Sequence, residues 1–397
     1  MATHELIEIL RSEARDIAIS VREWREYLHQ NPEPSFHENN TMEFVSAKLS
    51  EFGIEHQKGY CGTGVVGLIK APNYNGTIGL RADLDALPIQ ERNGVSYKSQ
   101  IDGWMHACGH DVHTAILLGT ASILQKNRDK LKKDVKLIFQ PGEEMNPGGA
   151  CLMINEGVLE NPKVEAMFAL HVYPEFEAGL IGLKSDLYMA SSDEIHLEII
   201  GKGGHGALPN RCVNPLIMGA ELILALTTYI STHSPKEIPT VINFGRFEAL
   251  GSTNVVPENA SIKGTFRTMN EEWREKAFQE MEKISNEIAR KYCGQVNLKR
   301  SKGYPYLQND SLLTNQLQGL FSSVLGDDNV KNLDLRMTAE DFAFYAEKVP
   351  SCFYRLGVGN KERGIIHSVH HPNFDIDPNS LEVGVLAMSL IPFFYES

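Results

Sequence analysis

Glu194-Ile-His-Leu-Glu-Ile-Ile200 alternates cleanly: Ile195, Leu197 and Ile199 fall on one side, Glu194, His196 and Glu198 on the other. A period of two marks a strand with one buried face. The segments after it decide the fold. An apolar stretch at 215–232 reads as a helix. Strands come next near 240–247 and 260–267, then a long helix at 271–292 and a strand near 296–299. The order β-α-β-β-α-β predicts a ferredoxin-like, split β-α-β sandwich. Two helices cover one sheet face and leave the other open.

The chain on either side has a different rhythm. Helices are expected near 5–30, 40–53 and 111–124, and strands at 65–69, 77–80, 135–139 and 166–172. After about 303 the pattern resumes, with a helix at 339–347, a strand at 352–357 and a last helix near 380–390. Strands alternating with helices predict a mostly parallel sheet covered by helices. The expected architecture is α/β: a catalytic domain formed by 1–186 and 303–397, interrupted by an inserted α+β domain at 187–302.

The 397 residues are enough for two cores. A formal charge of −13, with no basic run, argues against nucleic acid and anionic membranes as partners. No apolar run approaches the ~18 residues of a membrane span. Residues 1–16 show no apolar signal core, and the six cysteines have no disulfide rhythm. A cytoplasmic setting with reduced thiols is expected.

Chemistry concentrates at the ends of apolar runs. His106-Ala-Cys108-Gly-His110-Asp111-Val-His113 precedes and opens a helix, and Gly109 lets Cys108 and His110 face one point. Ile138-Phe-Gln-Pro-Gly142-Glu143-Glu144 is a buried strand ending in a turn with two acids. Carboxyl ends of strands are where α/β folds place their sites. Met167-Phe-Ala-Leu-His171 ends another strand, and His370-His371-Pro372 lies in a loop. Each fragment alone has a plain alternative: a structural cysteine, solvated acids, a core histidine, a surface turn. Together one thiolate, three imidazoles and a carboxylate exceed one tetrahedral ion and suit two ions sharing a bridge. Glu143 is then the spare carboxylate that a metal hydrolase needs to move a proton. Asp83 and Asp85 close a further strand on the same side and can orient a ligand or balance charge.

The set resembles the amidohydrolase branch of the aminoacylase/carboxypeptidase superfamily of dinuclear metallohydrolases. That branch holds hippurate hydrolases, N-acyl-amino-acid and N-acetyl-diaminopimelate deacetylases, and auxin-conjugate hydrolases. The resemblance runs through Arg25-Glu-Tyr-Leu-His29, Arg81-Ala-Asp83-Leu-Asp85-Ala-Leu-Pro88, Cys108-Gly-His110-Asp111-Val-His113, Gln140-Pro-Gly-Glu143-Glu144 and Leu170-His171-Val172. It continues in Gly201-Lys-Gly-Gly-His205, Asn254-Val-Val-Pro257, Gly264-Thr-Phe-Arg267, Ala339-Glu340-Asp341-Phe342 and His370-His-Pro372. It implies Cys108, His110, Glu144, His171 and His370 as ligands of two divalent ions (zinc, manganese, cobalt or nickel), with Cys108 the bridge. Glu143 is implied as general base and acid, and Asp83 or Asp85, with Asp83 preferred, as the aspartate behind the metals. His205, Asn254 and Arg267 are expected to bind substrate. Two departures stand out: Gly206 follows His205 where alanine or serine is usual, and Asn214-Pro215 replaces Asp-Pro.

The expected activity is hydrolysis of N-acyl amino acids by a homodimeric enzyme paired through the small domain. A dipeptidase or carboxypeptidase on the same scaffold is the first rival. Others are a Cys108 nucleophile with His110 or His113 as base, and a non-catalytic binding module.

Overall fold

The computed structural model describes residues 2–395; Met1, Glu396 and Ser397 lie outside it. The chain divides into two compact units.

The first unit comprises residues 1–186, 308–334 and 341–397. Its eight-stranded sheet runs, edge to edge, Glu55–Tyr60, Gly64–Ile69, Asp134–Gln140, Thr77–Asp83, Val164–Glu177, Ser351–Gly359, Ile181–Leu183 and Val330–Asn332. The four strands from Asp134–Gln140 to Ser351–Gly359 are mutually parallel. Every residue of Thr77–Asp83 and Asp134–Gln140 is buried, as expected of strands covered on both faces. Their register pairs Asp83 with Gln140, and Arg355 with His171, so the motifs at the strand ends come out at one edge. The helices Ala2–Gln30, His110–Lys126 and Asn379–Phe394 pack together. Gly119 permits the close approach: a Cβ there would lie 2.7 Å from Val21 and 2.9 Å from Val385.

Two local expectations fail. In place of a helix over 339–347 there is one turn, Ala343–Ala346. Asp341 is fully buried and accepts hydrogen bonds from Arg81, Gln140 and the Ala150 amide, so this segment plugs into the sheet instead of continuing as a helix. The helix Ser311–Leu325 was not anticipated, although Asp310 caps it by accepting from Leu313 N at 2.9 Å.

The second unit comprises 187–307 together with 335–340. The latter stretch belongs to it because Ala190 N donates to the Arg336 and Thr338 carbonyls. Four antiparallel strands lie in the order Thr240–Glu248, Asn259–Thr268, Asp193–Ile200, Gln295–Lys302. Ile195, Leu197 and Ile199 pack beneath the helices Pro215–His233 and Glu271–Tyr292, with Leu222, Leu226, Phe266 and Met281. Asn214 caps the first helix and Asn270 the second. Pro215–His233 is long and apolar enough by composition to cross a membrane. Its Met218, Leu222, Leu226 and Ile230 instead fill this core, while Leu216, Ile217 and Leu224 stay exposed.

Candidate metal centre

Two glycines in the left-handed region shape the site. Gly109, at φ 83, turns the chain between Cys108 and the helix His110–Lys126, and a Cβ there would lie 2.6 Å from Val172. Gly142, at φ 64, turns the chain out of the strand Asp134–Gln140 and into Glu143 and Glu144. His370 also adopts a positive φ, 65, held by its amide donating to Ala107 O at 2.8 Å. A histidine kept in that region bears strain, a common feature of functional sites.

Cys108 Sγ lies 3.4 Å from His171 Nε2 and 3.3 Å from His370 Nε2. His370 Nε2 is 3.2 Å from Glu144 Oε1. Donor atoms converge within 4.8 Å in the groups Cys108/His110/His171, Cys108/Glu144/His370 and His110/Glu143/Glu144. The structure thus brings Cys108, His110, Glu143, Glu144, His171 and His370 together, and Cys108, His110 and Glu144 each belong to two of these groups.

Buried hydrogen bonds aim the ring nitrogens. His110 Nδ1 bonds Asp85 Oδ1 at 3.1 Å, while the buried His110 Nε2 has no hydrogen-bond partner among the described residues. His171 Nδ1 donates to Val172 O at 2.8 Å, turning Nε2 towards Cys108. Asp85 Oδ2 accepts from Ser35 Oγ at 2.7 Å and from Glu144 N at 2.9 Å. Asp85, and not the preferred Asp83, therefore contacts both His110 and the backbone of Glu144. Asp83 takes Arg81 and His113 Nδ1, each at 2.6 Å, and lies 3.7 Å from His110 Nε2. His113 Nε2 accepts from Val172 N at 2.9 Å, so both its nitrogens are committed and it cannot serve Cys108 as a base.

The electrostatics call for a cation. Burial, then Glu144, Glu143 and Asp83, pushes the Cys108 thiol well above its ordinary range. Burial disfavours charge on His110, but Asp83, Asp85 and Glu144 hold its pKa up at about 10. Burial, aided by Arg355 and His113, keeps His171 neutral. Burial would raise Asp83, yet His110, Arg81 and His113 hold it well below the usual carboxylate range. A metal taking these donors would compete with their protons. The buried Glu144 Oε1 lacks a hydrogen-bond partner among the described residues, despite the nearby His370 Nε2. Open lone pairs of thiol, imidazole and carboxylate type fit divalent transition metals.

Other residues emerge only in three dimensions. Asp111 does not cap its helix; it accepts from Arg25 Nε at 2.8 Å and bonds His29 Nδ1 at 2.7 Å, while Arg25 also reaches Asp375 at 3.1 Å. This buried network links the residue after His110 to the loop of His370. The spacing of Arg25 and His29 along one helix was the available signal. Among the described residues buried His106 has no hydrogen-bond partner on either nitrogen, and burial lowers its pKa to about 4. Ser35 and Glu38 gave no signal in the sequence.

Within the second unit, His205 and Asn254 lie on adjoining segments. His205 pairs with Val255 across a short ladder, and Gly206 N donates to Asn254 O at 2.8 Å. The exposed His205 accepts from Ala207 N on Nδ1, which leaves Nε2–H as a free donor. Arg267, on the strand Asn259–Thr268, bonds Thr265 Oγ1 at 3.3 Å. Burial lowers its pKa, and the nearby Asp193 carboxylate opposes that without an ion pair between the two among the described residues.

Thiol, imidazole and carboxylate donors converging where parallel strands end form the site of a metal-dependent hydrolase. The chain belongs to the peptidase family M20/M25/M40, whose model matches residues 79–391. It is 33% identical to thermostable carboxypeptidase 2 of Saccharolobus solfataricus, over 98% of both chains. It is 36% identical to N-acetyl-L-cysteine deacetylase of Bacillus subtilis, over 94% of this chain and 86% of that one. A solved Bacillus subtilis dinuclear metal-binding M20 peptidase superposes with a TM-score of 0.81 at 32% identity, covering 96% of this chain and 100% of that one. The protein is thus a metallo-amidohydrolase or peptidase by family.

Proposed function

We propose that the protein hydrolyses the amide bond of N-acyl amino acids, releasing a carboxylic acid and a free amino acid. The observation that carries this is Glu143, a buried carboxylate whose oxygen lies within 4.8 Å of the His110 and Glu144 donor atoms. Cys108, His110, Glu144, His171 and His370 would hold two divalent ions, with Cys108 shared. When bound, such ions polarise the acyl carbonyl and lower the pKa of water. Glu143 takes the proton of the attacking water and returns it to the leaving nitrogen. Asp85 keeps His110 in the ligating tautomer, and Asp83 balances charge with Arg81 and His113.

To the second unit we assign substrate recognition. His205 and Asn254 are its proposed hydrogen-bond donors to substrate. Arg267 offers a planar fork to the substrate carboxylate. The deacetylase relative supports an acyl substrate, whereas the carboxypeptidase relative supports peptide hydrolysis by the same chemistry. Metal-reconstituted protein should be assayed on N-acyl amino acids and on dipeptides. Faster turnover of dipeptides than of any N-acyl amino acid would refute the substrate assignment.

We also infer a homodimer. Leu216, Ile217 and Leu224 are exposed on one helix, and Val241 and Phe247 on the neighbouring edge strand Thr240–Glu248. An unpaired edge beside an apolar face favours pairing with another copy. A monomer mass by light scattering would refute it. The six cysteines are all unpaired, which fits a reducing cytoplasm.

A further inference from the structure

Glu38 takes no part in the chemistry above, yet it is fully buried and its carboxylate is fully engaged. Oε1 accepts from Phe36 N and from Gly142 N, both at 2.9 Å, and Oε2 accepts from Thr63 Oγ1 at 2.5 Å. Phe36 and Gly142 both adopt positive φ, 63 and 64, and a Cβ on Gly142 would lie 2.3 Å from the Phe36 ring. One carboxylate thus pins two left-handed residues in close apposition. Gly142 leads directly into Glu143 and Glu144.

The same short segment grips the other end of that turn. Ser35 Oγ donates to Asp85 Oδ2 at 2.7 Å, and that oxygen accepts from Glu144 N at 2.9 Å. Residues 35–38 therefore brace Gly142 directly and Glu144 through Asp85. Holding an acid in this position is costly: burial and the neighbouring Asp85 raise the Glu38 pKa to about 7. A fold that needed only to fill this space would use an apolar side chain.

We propose that Glu38 is a positioning residue for the metal-facing carboxylates: by holding the Gly142 amide it sets the direction in which Glu143 and Glu144 leave the turn. This rests on the metal-hydrolase reading. Glu38→Gln keeps an acceptor oxygen for both amides and can donate to the Thr63 hydroxyl. Glu38→Asp keeps the charge but falls about 1.5 Å short. Glu38→Ala removes the brace.

The test is Co(II) titration of each variant against a chromophoric chelator, with the visible Co(II) spectrum, kcat and KM on an N-acyl amino acid, and circular dichroism to check the fold. The Asp and Ala variants should lose on the order of 10–100-fold in affinity for one of two ions. Their Co(II) spectrum should change, and kcat should fall more than KM rises. Glu38→Gln should match the wild type. A folded Asp or Ala variant with wild-type titration and spectrum overturns the proposal, and so does a Gln variant as impaired as Ala. If Glu38→Ala does not fold, the Asp and Gln variants decide. Wild-type protein that binds no cobalt overturns the metal reading itself, and is told apart from a Glu38 failure because it appears before any substitution.

Discussion

Asp85→Asn tests the centre most sharply, because it replaces one carboxylate oxygen by an NH2 group with almost no change in volume. Asp85 receives His110 Nδ1 at 3.1 Å on one oxygen, and Ser35 Oγ at 2.7 Å and Glu144 N at 2.9 Å on the other. A carboxylate can accept on both sides; an amide accepts on one and donates on the other. If the amide oxygen faces Glu144 N, the NH2 faces His110 Nδ1. That nitrogen must then accept, the ring proton moves to Nε2, and the lone pair aimed at the other donors is closed. If the amide is flipped, its NH2 meets the Glu144 N–H, donor against donor, and the turn carrying Glu144 must shift. Either way one hydrogen bond to a charged group is lost, about 1.5–3 kcal/mol. That corresponds to roughly 10–100-fold in metal affinity, the usual scale for partners behind a ligand. The assay is competitive titration of zinc or cobalt against a chromophoric chelator, with elemental analysis after dialysis. An Asp85→Asn protein that holds two ions with wild-type affinity would refute both the tautomer argument and the role given to Asp85.

Further outcomes rest on the same geometry. Glu143→Gln should retain its metals and lose roughly 10²–10⁴-fold in turnover, measured on metal-loaded protein; near-normal kcat removes Glu143 as the base. Cys108→Ser should bind fewer than two ions per chain by elemental analysis, and two tightly held ions would contradict the bridging position. Arg267→Ala should raise KM for substrates with a free carboxylate and much less for their amides, while His205→Ala should mainly lower kcat; equal effects on acid and amide, or intact turnover, respectively sink these roles. For His29, burial and Arg25 oppose a charge, Asp111 and Glu91 outweigh them, and the folded pKa is raised. Its charged form therefore contributes stability that is full below about pH 6.5 and is lost as pH rises through the folded value. The Tm gap between wild type and His29→Gln should narrow from pH 6 to 9, and a widening gap would reverse the sign of this argument.

Local pattern was enough for much of the fold. The alternation at Glu194–Ile200 marked a one-faced strand, and Asp193–Ile200 buries every second residue. The helix read at 271–292 has the bounds Glu271–Tyr292. Such signals are legible because they arise from neighbours within a few residues of one another. Among the elements not expected from the sequence, the exposed edge strand Glu55–Tyr60 and the three-residue strands Ile181–Leu183 and Val330–Asn332 are weakly marked by local pattern, whereas the helix Ser311–Leu325 carries a legible cap in Asp310. Residues 339–347 resemble a helix locally, but burial of Asp341 against Arg81 and Gln140 overrode that preference.

For the site, the sequence by itself named the donor types: a thiol, imidazoles and paired carboxylates, each at the end of an apolar run. Where those donors meet was decided by tertiary structure. Cys108 and His370 stand 262 positions apart and still approach to 3.3 Å, because the His370 amide donates to Ala107 O and ties the two loops together. Only packing could assign the supporting roles. Asp83 and Asp85 look alike two residues apart, yet one faces Arg81 and His113 while the other faces His110, Ser35 and Glu144 N. Periodicity can say which side of a strand a residue takes, but not what waits there: apart from Arg81, two residues from Asp83, the partners come from 25 to 59 positions away, and their approach is set by the shape of the packed core.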